Sequence, residues 1–229
     1  MNKQYAVFDW DNTVRDGYTL FDWIKYLINQ EILTESIQDI IDELSRKYKA
    51  NELSHDAYAQ FACQAYVKEM KGLKYSDIKS IAGRYIEQDK HQIFGGMTEV
   101  FNIFYKNKID LIVISGAPKI VLDFYKREFH IHSILAYKER IVNGYFTGQT
   151  SYNYGYNKSK TMMQLECKYG TKPLFGFGDS YSDIPLLEEA AHAFSINNVL
   201  KKATTIYTVN NSIQEKCIQD ILCIIQQLH

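Results

Sequence analysis

The sequence predicts an α/β fold in which a doubly wound parallel sheet carries an inserted helical segment. Short apolar runs recur along the chain, and segments with helical spacing of apolar residues separate most of them. From residue 17 to residue 91, by contrast, the apolar positions follow helical spacing and strand-like runs are absent. We therefore expect a Rossmann-like core of residues 1–16 and 92–229 and a helical cap domain of residues 17–91.

The predicted strands are nearly continuous in apolar character, as expected for a parallel sheet that is covered on both faces. In chain order they are "YAVFD" (5–9), "DLIVIS" (110–115), "SILAY" (133–137), "LFGFG" (174–178), "AFSI" (193–196) and "IYTV" (206–209). The helices predicted between them are "MTEVFNIFYKNK" (97–108), "KIVLDFYKREF" (119–129), "SKTMMQLECKYG" (159–170) and "DIPLLEEAA" (183–191). The dipeptide Asn143-Gly144 favours a two-residue hairpin turn and predicts a small antiparallel excursion.

The inserted segment should lie above the first strand. Its apolar spacing predicts helices through Leu20, Trp23, Ile24, Leu27 and Ile28, and through Ile37, Ile40, Ile41, Leu44 and Tyr48. Because the insert directly follows the first strand, it should hang over the carboxyl end of that strand, where open α/β sheets bind ligands. We expect hinges near residues 15–18 and 90–96, with Gly95-Gly96 as a candidate.

Composition favours a small-molecule partner. Lys and Arg together number 26 against 27 Asp and Glu, so the chain has no basic footprint for nucleic acid or for a membrane surface. No apolar window reaches the roughly 18 residues of a spanning helix, and the N-terminus lacks the apolar core of a signal peptide. The four cysteines form no CxxC pair, which suits a reducing compartment. We expect a cytoplasmic protein, and the sequence leaves its oligomeric state open.

The stretch "VFDWDNTV" (7–14) places two carboxylates just where the first predicted strand ends. In an extended chain the side chains of Asp9 and Asp11 project to the same side, toward the ligand-binding edge of the sheet. Two like charges held close together repel unless a cation lies between them or one of them is protonated. The pair therefore indicates either a metal ion or acid-base chemistry.

Further polar residues follow other predicted strands or begin a predicted helix. They are Ser115 with Gly116 in "VISGAP", Lys158 and Lys160 in "YNKSKTM", and Asp179 with Asp183 in "GDSYSD". Carboxylates can hold a magnesium ion, while a hydroxyl, an ammonium and main-chain N–H groups can hold a phosphate. The combination predicts a site for a magnesium ion beside a phosphate.

These four motifs, in this order, resemble those of the haloacid dehalogenase (HAD) superfamily, and the helical insert resembles its phosphoserine-phosphatase-like branch. The resemblance implies that Asp9 is the nucleophile and that Asp11 is the general acid and base. It implies a Mg²⁺ ion held by Asp9, Asp179 and the main-chain carbonyl of Asp11, with Asp183 as acidic support. We assign phosphate binding to Ser115, Gly116, one of the two lysines, Asn12 and Thr13, and expect Thr13 to bond locally in its turn.

Either lysine can supply the ammonium on sequence grounds. Lys158 places Met162 and Leu165 on its own face of the predicted helix, whereas Lys160 would put Gln164 where a buried residue belongs. Helical phase favours Lys158, and Lys160 remains the alternative.

The sequence departs from phosphoserine phosphatases in the cap. Tyr18 and Gln60 fall where those enzymes carry the Glu and the Arg that read the amino acid, and a carboxylate substrate loses its bidentate partner without the Arg. Phosphoserine is therefore not expected as the substrate. The cap residues expected at the substrate are Tyr18, Trp23, Tyr58 and Phe61, whose rings could favour an amine head group.

The resemblance implies a Mg²⁺-dependent phosphomonoesterase that hydrolyses a small phosphorylated metabolite through an aspartyl phosphate. Two alternatives share the fold. A phosphotransferase or mutase would pass the phosphoryl group from Asp9 to an acceptor other than water. A HAD hydrolase of a non-phosphate substrate would not need Asp11 as acid and base, so the presence of Asp11 speaks against it.

Overall fold

The computed structural model describes residues 3–196, 202–206, 208–209 and 212–227. Its main sheet contains β1 (Tyr5–Phe8), β2 (Asp110–Pro118), β3 (Ser133–Val142), β4 (Tyr145–Tyr152), β5 (Phe175–Gly178), β6 (His192–Ile196) and β7 (Thr204–Ile206). The strand order is β4-β3-β2-β1-β5-β6-β7, and all neighbours are parallel except β3 and β4. The predicted α/β fold with a doubly wound parallel sheet is confirmed.

Helices fill the intervals between the strands. Between β1 and β2 lie α1 (Thr19–Asn29), α2 (Ser36–Lys49), α3 (His55–Glu69), α4 (Tyr75–Asp89) and α5 (Met97–Lys106). The later helices are α6 (Lys119–Leu122), α7 (Tyr125–Glu128), α8 (Lys158–Tyr169), α9 (Ile184–Glu189) and α10 (Glu215–Gln226). Helices α1 to α4 occupy the predicted insert, and we retain residues 17–91 as the proposed cap. Among the described residues, no helix has the length and apolar character needed to cross a membrane.

Three expectations about secondary structure were wrong or incomplete. The single strand expected at 206–209 is divided: Ile206 ends β7 beside Ile196, whereas β8 (Thr208–Val209) pairs antiparallel with β9 (Ser212–Ile213). The helix expected at 119–129 is interrupted between α6 and α7, where the ring of Phe124 lies against Gly83 of α4. Helix α10 was not predicted, although its buried positions, Cys217, Ile218, Ile221 and Ile225, have helical spacing.

The two chain segments that connect the cap to the core run side by side. The Asp16 N–H donates to the Gln92 carbonyl (2.8 Å), and the Phe94 N–H donates to the Val14 carbonyl (3.0 Å). These hydrogen bonds pair the two expected hinges with each other. The candidate hinge glycine Gly95 is packed tightly, since a Cβ there would lie 2.2 Å from Oγ of Ser212.

The β3–β4 hairpin forms a second attachment for the cap. Its turn has the predicted residues, with φ of 51° at Asn143 and 81° at Gly144, as a two-residue turn of this kind requires. The Gly144 carbonyl accepts from the Tyr75 N–H (2.8 Å), and Phe146 exchanges two main-chain hydrogen bonds with Gly72 and Leu73 (2.9 and 3.0 Å). The connection between α3 and α4 is thereby joined to the hairpin through main-chain groups.

A buried ion pair fixes the junction between cap and core. Arg15, in the first connecting segment, lies 2.7 Å from Asp89 at the end of α4, and both side chains are 1% exposed. The same Asp89 carboxylate accepts from the hydroxyls of Tyr85 (2.8 Å) and Tyr125 (2.6 Å), and Arg15 also contacts Asp22 (2.8 Å). Because α7 supplies Tyr125, one carboxylate joins the connecting segment, the cap and the core.

We expect Asp89→Ala to lower the free energy of unfolding by about 3–5 kcal/mol, because it leaves the buried Arg15 guanidinium without its main counter-charge. Urea denaturation at pH 7 measures the change. Glu87→Ala is the matched control, since Glu87 lies one half-turn away and pairs with Lys90 on the surface. The importance of the buried pair is contradicted if the two variants lose the same stability.

Candidate active site

The candidate active site forms at the carboxyl ends of β1 and β5, beside the second half of β2. Phe8, the last residue of β1, pairs with Val113 of β2 on one side and with Phe177 of β5 on the other. Asp9 continues the line of β1, since its N–H donates to the Phe177 carbonyl (3.0 Å). Because the strands are parallel, the residues that follow them meet at one edge of the sheet. Asp9 and Asp179 follow β1 and β5 directly, and Ser115 lies in β2 two residues beyond its last pair with β1, so the three residues are brought together.

Lys158, the first residue of α8, occupies the centre of this edge. Its Nζ lies 2.5 Å from Oδ1 of Asp9 and also contacts Oδ1 of Asp183. Burial disfavours the ammonium, but the Asp9 and Asp183 carboxylates outweigh it and raise the pKa of Lys158 above its ordinary value. Lys160 is exposed on the other side of the helix. The structure thus brings Lys158, and not Lys160, to the aspartates.

The orientation of α8 follows from its sequence. The Asn157 side chain accepts from the Lys160 N–H (3.4 Å), which caps the first turn of the helix. Met162 and Leu165 are buried against the sheet on the same face as Lys158. This is the helical phase that the sequence analysis used to favour Lys158.

Three carboxylates gather beside the ammonium. One oxygen from each of Asp9, Asp179 and Asp183 lies within 4.8 Å of the others. Burial raises the pKa of Asp9 well above its ordinary value, and burial together with the Asp183 charge raises that of Asp179 to about 7. Burial also tends to raise the pKa of Asp183. The charge of Lys158 and the hydrogen bonds from Lys158 and Ser180 have a larger effect, however, and the pKa of Asp183 is lowered. So crowded a set of acids fits a divalent cation, which would offset their repulsion.

The hydrogen bonds separate the roles that these acids can take. Oδ1 of Asp183 accepts from the Lys158 ammonium. Its Oδ2 accepts from three donors, which are the Asp179 N–H (3.1 Å), the Ser180 N–H (2.9 Å) and the Ser180 hydroxyl (2.8 Å). It therefore orients the loop after β5. Asp179 accepts at Oδ1 from the Thr13 hydroxyl (3.2 Å). In the described part of the chain no hydrogen bond reaches Oδ2 of Asp9 or Asp179, which suits these two oxygens to a cation.

Asp11 is held apart from this cluster, toward the cap. Its Oδ1 accepts from the N–H (3.0 Å) and the hydroxyl (2.5 Å) of Thr19, the first residue of α1. Burial raises the pKa of Asp11 to about 6, although Thr19 and Arg15 oppose the shift. A carboxyl group with this pKa can give up and regain a proton near neutral pH. Sequence reasoning missed Thr19, and its only signal is its position at the start of the first predicted cap helix.

Ser115 and Gly116 line the cavity beside Asp9. The Ser115 side chain is 1% exposed, and its Oγ accepts from the Ala117 N–H (3.0 Å). A 3₁₀ turn at Tyr154–Asn157 packs against this segment so closely that a Cβ on Gly155 would lie 2.5 Å from the Gly116 nitrogen. Gly155 and Asn153 also line the cavity, and sequence reasoning missed both. Their segment "NYGYN" (153–157) has residues typical of a turn, which do not indicate a binding site.

The two residues after Asp11 differ in position. Asn12 lines the cavity, has φ of 58°, and accepts from the Gly17 N–H through its Oδ1 (3.1 Å). Thr13 is fully buried and does not line the cavity. Its hydroxyl instead supports Asp179 across the sheet edge. Thr13 therefore contacts the acidic cluster and not the space where a phosphate would lie.

A cavity of about 350 Å³ extends from these groups to the cap. The cap residues that line it belong to α1, α2, α3 and the segment before α1, and they are Tyr18, Leu20, Phe21, Ser45, Tyr48, Lys49, His55, Tyr58, Ala59 and Cys63. Tyr18 and Tyr58 are among these residues, and their contact with a substrate stays a prediction.

The other two expected cap residues do not reach the cavity. Trp23 is fully buried between the cap helices, where its Nε1 donates to the Tyr66 hydroxyl (3.1 Å). Trp23 shares the face of Leu20, Ile24 and Leu27, which is the packed face of α1. Phe61 is 43% exposed on the surface of α3. Both expectations are corrected: Trp23 packs the cap interior, and Phe61 faces away from the cavity.

The sequence model of haloacid dehalogenase-like hydrolases matches residues 6–188. The chain belongs to this family. Its fold is similar to that of a protein of unknown function from Bordetella pertussis Tohama I (TM-score 0.70, 16% identity, covering 86% of this chain and 91% of that one). It is also similar to a phospho-aspartyl intermediate analogue of phosphoserine phosphatase (TM-score 0.63, 14% identity, covering 97% of this chain and 99% of that one). A substrate-bound phosphoserine phosphatase is similar to the same degree (TM-score 0.62, 15% identity, covering 97% of this chain and 98% of that one). No curated protein matches the sequence. The recognition of a HAD enzyme with a phosphoserine-phosphatase-like architecture is confirmed.

The raised pKa values of Asp11 and Asp179 predict a pH-dependent stability in the metal-free protein. Between pH 4 and 7 these folded carboxyls hold protons that an unfolded Asp, with a pKa of about 3.9, has released. The folded state then binds more protons than the unfolded state, so the free energy of unfolding falls as the pH rises. Asp183, whose pKa is lowered, acts in the opposite direction only below about pH 4.

Urea denaturation in chelator should therefore give a free energy of unfolding at least about 1.4 kcal/mol lower at pH 8 than at pH 5, the equivalent of one pKa unit. Asp179→Asn should reduce this difference, whereas Asp39→Asn, at an exposed position of α2, should retain it. An equal pH dependence in the wild type and in Asp179→Asn would contradict the assignment.

Proposed function

We propose that the protein is a magnesium-dependent phosphomonoesterase that hydrolyses a small phosphorylated metabolite through an aspartyl phosphate. The observation that carries the proposal is the buried Lys158 ammonium between Asp9 and Asp183, on the floor of a cavity that Ser115 and Gly116 also line. A phosphate dianion cannot approach a group of carboxylates unless positive charge offsets them. Family membership and the fold shared with phosphoserine phosphatases support the same function.

The acidic cluster fits a magnesium ion. Asp9 and Asp179 would hold it through their side chains, and Asp11 through its main-chain carbonyl, as the family resemblance implies. Bound there, the ion would neutralise carboxylate charge and polarise a phosphoryl oxygen. Asp183 would act indirectly, because both of its oxygens already bind Lys158 and the loop after β5. The proposal therefore keeps Asp183 in the supporting role that the resemblance implies.

Two steps complete the proposed reaction. A carboxylate oxygen of Asp9 attacks phosphorus, the bond from phosphorus to the ester oxygen breaks, and Asp11 gives a proton to the departing alkoxide. A water molecule then attacks phosphorus, the aspartyl P–O bond breaks, and Asp11 takes a proton from that water. During both steps Lys158 and the main-chain N–H groups near Ser115 and Gly116 stabilise the phosphoryl oxygens.

Asp11 is suited to both halves of this cycle. Its pKa of about 6 leaves a usable fraction of the acid near neutral pH, while most of it is available as the base. Thr19 fixes the orientation of the carboxyl group and belongs to the cap. The position of the proton donor is therefore coupled to the position of α1.

Phosphoserine is not the proposed substrate. Tyr18 lines the cavity where the related enzymes carry a Glu, and Gln60 is exposed and does not line it. The Arg15 guanidinium does not compensate, because it is buried against Asp89 and Asp22. A substrate amino acid would thus lack both of its expected partners.

Phosphate release tests the function. In the presence of Mg²⁺, we expect wild-type protein to release phosphate from small phosphomonoesters, chelator to abolish the release, and Asp9→Asn to have no measurable turnover. Asp9→Asn should stay folded by circular dichroism, because it removes one of the repelling charges.

Two results would overturn the proposal. Release of halide in place of phosphate would indicate the non-phosphate hydrolase. Phosphoryl transfer from Asp9 to an added alcohol, with no transfer to water, would indicate the phosphotransferase.

The two lysines of α8 provide a matched pair of variants. Lys158→Met should reduce kcat/KM by about 100- to 1,000-fold, the loss typical for removal of a preorganised donor to a developing oxyanion. Lys160→Met should change kcat/KM by less than about twofold, because Lys160 is exposed and does not line the cavity. Steady-state phosphate release measures both, with thermal unfolding as the check on folding. Similar losses in the two variants would contradict the assignment of Lys158.

A further inference from the structure

We propose that the phosphomonoester hydrolysed here carries a planar aromatic leaving group; this inference rests on the proposed function and specifies its substrate class. The cap side of the cavity is lined by rings that form a continuous wall. Phe21 stacks on Tyr58 (ring centroids 5.5 Å apart, planes at 28°), and Tyr58 stacks on Tyr48 (5.2 Å, 4°). Tyr18 meets the edge of Phe21 (5.9 Å) and lies near Asp11, at the phosphate end.

The tyrosines offer this cavity mainly carbon surface. Most of the surface that lines the cavity is apolar, and the rings of Phe21, Tyr48 and Tyr58 contribute to it. On the core side, Tyr156 also lines the cavity. The hydroxyls of a polyol leaving group would find few polar partners on such a surface. A flat apolar ring needs none, and it gains offset or edge-to-face contacts with the wall.

Charge argues against the amine head group expected from the sequence. The carboxylates that line the cavity, Asp9, Asp11 and Asp179, all belong to the phosphate end. Among the described residues, the ionisable nitrogen groups of the cap lining are Lys49 and His55, and no acid lines that side. An ammonium head would therefore approach Lys49 without a counter-charge, whereas a neutral or anionic ring would not.

The size of the cavity limits the leaving group to about one ring. Its 350 Å³ lies near the lower end of the range of about 300–1,000 Å³ found for small-molecule sites. Part of that volume must hold the phosphoryl group beside Lys158. The remainder suits a single substituted ring next to Tyr58 and Tyr48.

Esters of primary alcohols separate ring recognition from leaving-group chemistry. With Mg²⁺ present, we expect kcat/KM for benzyl phosphate to exceed that for cyclohexylmethyl phosphate by about threefold to tenfold, the gain typical of an aromatic pair. The ratio of kcat/KM for benzyl phosphate to that for 2-aminoethyl phosphate should be larger still. Calorimetric titration should show the same order for benzylphosphonate and cyclohexylmethylphosphonate, which bind but cannot be hydrolysed at an ester bond.

Variants of α3 test whether the wall supplies the preference. Tyr58→Leu should remove most of the advantage of benzyl over cyclohexylmethyl phosphate while methyl phosphate is still hydrolysed. Phe61→Leu is the matched control, because Phe61 lies on the same helix and faces away from the cavity. It should leave the benzyl preference unchanged.

The outcomes distinguish this inference from the proposed function. If methyl, cyclohexylmethyl and benzyl phosphates are hydrolysed with equal kcat/KM, or if 2-aminoethyl phosphate is preferred, the aromatic substrate class is overturned and the phosphatase remains. If no ester releases phosphate, the proposed function fails. The phosphonate titration then still decides whether the cavity prefers an aromatic ring.

Discussion

The arrangement of the sheet edge depends on the charge of one ammonium group. Lys158 lies between two buried carboxylates, and a third is close by. Burial alone would drive these acids toward their neutral forms, in which Asp9 could not take either of the roles proposed for it, nucleophile and metal ligand. Lys158 keeps Asp183 ionised, and Asp183 in turn orients the loop that carries Asp179. The strand order contributes by placing β1 between β2 and β5, so that their polar ends meet around the same ammonium.

Much of this was predictable because the relevant signals are local. The alternation of apolar runs and helical patterns predicts the sheet, and Asp9, Ser115 and Asp179 each come at or just after the end of a predicted strand. Helical phase was sufficient to favour Lys158, since Met162 and Leu165 mark the buried face. The same kind of signal was present for Trp23, whose spacing from Leu20 and Leu27 places it on the packed face of α1. Its assignment to the substrate overlooked that periodicity.

Contacts between segments that are distant in sequence could not be predicted. Gly155 is required by its close approach to Gly116, and Thr19 holds Asp11 across the boundary between core and cap. Neither residue has a pattern that would indicate its partner. In α3, Phe61 and Tyr58 are only three positions apart, yet Tyr58 lines the cavity and Phe61 does not. Which of them faces the cavity follows from the way α3 packs on α2 and on the hairpin.

The cap is attached to the hairpin through main-chain hydrogen bonds at Gly72, Leu73 and Tyr75. Such bonds do not depend on which side chains the neighbouring helices carry. Residues such as Tyr48 and Tyr58 can therefore be exchanged during evolution without moving the cap relative to the aspartates. The position of the cap and the chemistry of its inner surface are therefore encoded by different residues. A new substrate preference can arise by point substitution in the cap while the arrangement of the aspartates stays unchanged.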